Sequence, residues 1–69
     1  MSKYAVAVEQ RTKNLADLRS RLQWIEACQL VDPEIDDTVR RELVVAISYE
    51  RRCLAAARAA FQAESAANA

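Results

Sequence analysis

The sequence predicts an all-α protein, an antiparallel two-helix hairpin that dimerises into a four-helix bundle. Three observations carry this expectation. The chain contains no glycine and a single proline, Pro33, whereas β-rich and loop-rich domains need glycine for their turns. Ala, Arg, Glu, Gln and Leu, all strong helix formers, dominate the composition. Apolar residues recur at steps of three and four on both sides of one break near Pro33. At 69 residues, residues 1–69 make a single domain.

The first helix is expected over residues 3–30, with Ser2 as its N-cap. Its apolar series is Tyr4, Val8, Leu15, Leu18, Leu22 and Ile25, interrupted by Arg11 and closed by Gln29, a heptad seam with two polar positions. The turn is placed at residues 31–33. A residue before proline is biased out of the helical region, so the first helix ends by Asp32. Asp32 is a ready N-cap for the next helix, and Pro33 suits a first helical position. The second helix is therefore expected from Pro33 to about Ala63, with a start near Asp37 as the alternative and residues 64–69 fraying. Its seam is Ile35, Val39, Leu43, Ala46, Ile47, Cys53, Leu54, Ala57 and Phe61, with Glu50 in the middle. Helices this long, joined by a short turn, lie antiparallel.

Much of the 52% hydrophobic content is alanine, which buries little area, and a domain this small gains little from its own core. That favours self-association. Trp24, Cys28 and Val31 fall outside the first seam. Val44, Val45, Ser48, Ala55, Ala56 and Ala59 lie around the back of the second helix, and a small-residue back is not what a solvated helix shows. Antiparallel alignment sets Trp24 near Arg41, so Trp24, Cys28, Val31, Val44 and Val45 are expected to form one patch toward the turn, the kind of exposed surface that marks an interface. The alternative is that Trp24 covers the hairpin's own end. Arg11 and Glu50 sit about four residues out of step, with side chains pointing apart. A direct pair inside one hairpin is therefore not expected. A cross-subunit pair, a rim contact of Glu50 with Tyr49 or Arg51, or snorkelling to solvent remain. The expected dimer interface comprises Arg11, Cys28, Val31, Ser48, Glu50, Ala55 and Ala59.

Ten basic and ten acidic residues cancel, leaving no overall field toward nucleic acid or anionic membrane. No apolar run approaches the ~20 residues of a membrane span, and the Met1-Ser2-Lys3-Tyr4 start lacks the apolar stretch of a secretion signal. A cytoplasmic address is expected. With neither histidine nor glycine, the usual acid–base, phosphate-loop and metal arrangements are out of reach, so no enzyme activity, cofactor or metal is expected. Cys28 and Cys53 stand roughly 24 Å apart in the hairpin, too far for a disulfide. The cluster Asp32, Glu34, Asp36 and Asp37 reads as helix-cap chemistry, with an acidic docking tip as the alternative. The arginines of the second helix read either as a solvated face or as a strip gripping carboxylates or phosphates. The expected partner-binding residues are Trp24, Arg40, Arg41, Val44, Val45, Arg51, Arg52 and Arg58.

A glycine-free, Ala- and Arg-rich chain of this length, folding about Asp32-Pro33, resembles small early phage proteins that antagonise host machinery. Among these are anti-activators of quorum-sensing transcription regulators. The resemblance implies a dimeric inhibitor that masks a surface on a larger host protein, in a bacterial or phage-infected cell. The architecture also resembles plasmid-encoded RNA-binding hairpins, which carry their RNA contacts on the first helix; here the basic strip is on the second, and no motif carries over. A nucleic-acid binder using that strip, or a structural subunit of a larger assembly, are the alternatives.

Overall fold

The computed structural model describes residues 2–68. It contains two helices, α1 (Lys3–Val31) and α2 (Thr38–Ala67), packed side by side in a rod 55 × 15 × 13 Å. Among the described residues there is no strand. Among the described residues no helix is long and apolar enough to cross a membrane.

Ser2 caps α1 in extended backbone, its hydroxyl accepting from the Tyr4 N–H at 3.1 Å. At the other end, Asp32 leaves the helix with φ −132° and ψ 93°, its N–H still bonded to the Cys28 carbonyl. This is the extended backbone that proline imposes on the residue before it.

The second helix begins at Thr38, near the later of the two expected starts and not at the preferred Pro33. The local hydrogen bonds explain the delay. The Asp32 carboxylate accepts from the Glu34 N–H at 3.1 Å and the Asp32 carbonyl from the Ile35 N–H at 3.2 Å, so Asp32 closes a tight turn over Pro33 instead of opening a helix. Asp36 then takes the capping role. Its carboxylate accepts from both the N–H (3.0 Å) and the hydroxyl (2.8 Å) of Thr38. The connection is thus residues 32–37, longer than the expected 31–33. At its far end α2 continues to Ala67, past the expected end at Ala63, as an alanine-rich run favours. Ala69, assigned to the frayed tail, lies outside the described residues.

Leu15 and Leu54 are the buried residues of the core, at 7% and 5% exposure. Around them Tyr4, Val8, Leu18, Leu22, Ile25, Leu43, Ile47 and Ala57 are half-buried, so both seams meet along the hairpin. Val39 and Phe61, assigned to the second seam, remain exposed. A compact fold of this length has a radius of gyration of about 11 Å; here it is 16.1 Å.

Candidate functional site

The heptad phase of each helix divides the surface flanking the seam into two faces. On α1, Thr12, Ala16 and Arg19 run along one flank; Arg21, Trp24, Cys28 and Val31 run along the other. On α2, Val44, Ser48, Arg51, Ala55 and Arg58 share the first flank. Val39, Ala46, Tyr49 and Cys53 share the second.

The second face is apolar toward the turn. The Trp24 indole separates two shallow clefts. One, about 430 Å³, is lined by Arg21, Ile25, Val39 and Leu43; the other, about 440 Å³, by Ala27, Cys28, Val31 and Ile35. Trp24 is 67% exposed and Val31 88%. The expected patch is therefore only partly assembled. Cys28 and Val31 join Trp24, but Val44 and Val45 line neither cleft. Four positions apart from Arg41, Val45 points to the back of α2 with Arg52 and Ala59, all exposed. Both cysteines are free and half-buried.

Farther along the same face lies the pair that the sequence argued against. Arg11 Nη1 donates to Glu50 Oε1 at 2.9 Å within one hairpin. Both are long side chains, and together they span the axial offset that made the pairing geometry poor. The Arg11 guanidinium also lies 6.0 Å from the centre of the Tyr49 ring, a cation–π contact. The Glu50 side chain is 12% exposed, and its Oε2 is buried without a hydrogen-bond partner. The pair thus joins α1 to α2 within one hairpin.

At the turn, Asp37 gathers three side chains. Arg40 donates to both of its oxygens, Arg41 Nε donates to Oδ2 at 3.0 Å, and Gln29 Nε2 reaches across from α1 to Oδ1 at 3.0 Å. The Arg40 bond, then the Gln29 bond, hold the Asp37 carboxyl far below the usual carboxylate range. Asp36 is lowered too, first by the Thr38 N–H and then by its hydroxyl; Asp37 in turn raises Arg40. Arg40 and Arg41, expected to bind a partner, are thus engaged in closing the hairpin end.

The first face carries free cations. A groove of about 380 Å³ is floored by Leu15, Leu54, Ala16 and Ala55 and edged by Arg19, Arg51 and Arg58. Among the described residues none of these arginines is in an ion pair. Arg51 and Arg58 were expected here and Arg19 was not, because the basic strip was sought on one helix. Only the packed hairpin brings them together: Leu15 and Leu54 share the groove floor, with Arg19 and Arg51 at its edges. Ala55, assigned to a dimer contact, sits on this groove floor. Ser48 follows the same flank.

Among the described residues no group of three Cys, Asp or Glu side chains converges as metal ligands. Compared with known proteins, the chain matches no family model, no curated protein and no solved structure.

Proposed function

We propose that the chain is a non-enzymatic, protein-binding regulator that works as a homodimer and masks a surface on a larger protein. One observation carries the reading: a single hairpin leaves more surface open than a compact chain of its mass, with Trp24, Val31 and Val45 among the exposed apolar side chains. A compact 7.8 kDa monomer exposes about 4,400 Å² by surface–mass scaling, but this hairpin exposes 5267 Å². The surplus, roughly 900 Å², is close to the ~800 Å² that each partner contributes to a standard interface.

The Trp24 face is the natural place for the second copy. Trp24, Val31 and Val39 are exposed there, beside the half-buried Cys28 and Leu43. Two such faces placed together complete a four-helix bundle of the kind long hairpins form. The dimer then displays its polar flanks to a target, for which a transcription regulator is the first class to try on the resemblance above.

Light scattering tests the assembly. At micromolar concentration the mass should be twice 7.8 kDa, and Trp24→Glu should halve it while circular dichroism stays helical. A folded monomeric wild type would remove the dimer. The regulatory half is tested by affinity capture from bacterial lysate, which should retain one specific protein. Recovery of none, or of one indifferent both to Trp24→Ala and to reversing Arg51, would count against it.

A further inference from the structure

The face opposite Trp24 has no use in the dimer, yet it is where the free positive charge collects. Arg11, Lys13, Arg21, Arg40 and Arg41 are each held by a carboxylate of the same chain. Of the other five basic residues, Arg19, Arg51 and Arg58, contributed by both helices, surround one groove that Lys3 and Arg52 do not line. Three guanidiniums about a single concavity concentrate a positive potential that an anionic ligand relieves.

We propose that this groove is the docking site for an acidic amphipathic helix of the target, an inference that rests on the protein-binding reading above. The floor decides the class of ligand. Leu15 and Leu54 lie at its base between Ala16 and Ala55, whose small side chains let a third helix approach closely. A helix laid along the groove sets apolar side chains on that floor and carboxylates against the arginines on either side, where the guanidinium fork accepts them two oxygens at a time. A nucleic-acid strand fits less well. Its phosphodiester backbone has no apolar side for the floor, and the groove lining offers no aromatic ring on which bases stack. A second copy of this chain fits worst, since a two-fold axis through the groove sets arginine against arginine.

The test uses the full chain and a fluorescent synthetic helical peptide of leucine and glutamate, read by polarisation. The peptide should bind, and binding should weaken with salt. Arg19→Glu, Arg51→Glu and Arg58→Glu should each weaken it by about tenfold or more, the scale of one lost charge-assisted bond. Arg52→Glu, on the back of α2, should leave it unchanged. Trp24→Glu should still bind, because the groove is intact in a monomer.

The proposal is overturned if no binding occurs, if Arg52→Glu is as damaging as Arg51→Glu, or if an oligothymidine strand displaces the peptide and binds more tightly. Loss of peptide binding in Trp24→Glu, with the groove variants unaffected, would move the site to the apolar face. That result sinks the groove and leaves the protein-binding reading standing. A monomeric wild type that binds the peptide through the three arginines would do the reverse to the dimer.

Discussion

Arg11 and Glu50, 39 positions apart in the chain, meet at 2.9 Å across the hairpin. Removing the cation strands a carboxylate that is only 12% exposed. Arg11→Met should therefore destabilise the fold by about 1–3 kcal/mol, the range for an orphaned buried polar group. Glu50→Gln should cost less, since its amide oxygen can still accept from Arg11. The double variant Arg11→Met/Glu50→Leu should recover part of the loss, because an apolar pair leaves nothing unpaired. Urea unfolding of the wild type, Arg11→Met, Glu50→Leu and the double variant measures the coupling; simple additivity would show that the two side chains do not depend on each other.

Acid should act first at the turn. Asp37 and Asp36 are both more acidic in the folded chain than in the unfolded one. Stability from a carboxylate lowered in this way is fully present above its unfolded-chain value and is lost as pH falls toward its folded value. Thermal melts should be level from pH 7 to about 5 and decline below about 4. Asp37→Asn should start lower at neutral pH and show a shallower acid decline. Because these groups are exposed, added salt should narrow the difference between the two proteins. An acid profile unchanged by the substitution would assign the decline to other carboxylates.

Capping of the second helix falls to Asp36, since the Asp37 carboxylate is taken up by Arg40, Arg41 and Gln29. Asp36→Ala should lower the melting temperature. Amide hydrogen exchange should show faster exchange confined to the first turn of α2, at Thr38, Val39 and Arg40. Protection spread evenly along the helix would mean that Asp37 caps it instead.

The hairpin was legible in the sequence because its signals are local. Heptad spacing from Tyr4 to Ile25 marks one stripe, and Pro33 dictates extended backbone at Asp32. The start of α2 was not legible, since Asp32, Asp36 and Asp37 are equally good caps by residue type, and only the hydrogen bonds of the folded turn choose among them. The Arg11–Glu50 pair was missed because backbone direction and residue level ignore how far two long side chains reach along a groove. Arg19 was missed for a related reason. A site shared by two helices appears only once the seam register is known, and periodicity within each helix does not supply it. The same gap let Ala55 be grouped with Cys28 and Val31, although the two faces turn away from each other.

The rod is barely thicker than the two helices that compose it. No position in such a body is more than one side chain away from the outside, so nearly every codon writes directly onto the exterior. The exterior can therefore be rewritten by single replacements, with only the few positions around Leu15 and Leu54 barred from change. For the protein-binding role we propose, slenderness is a form of adaptability.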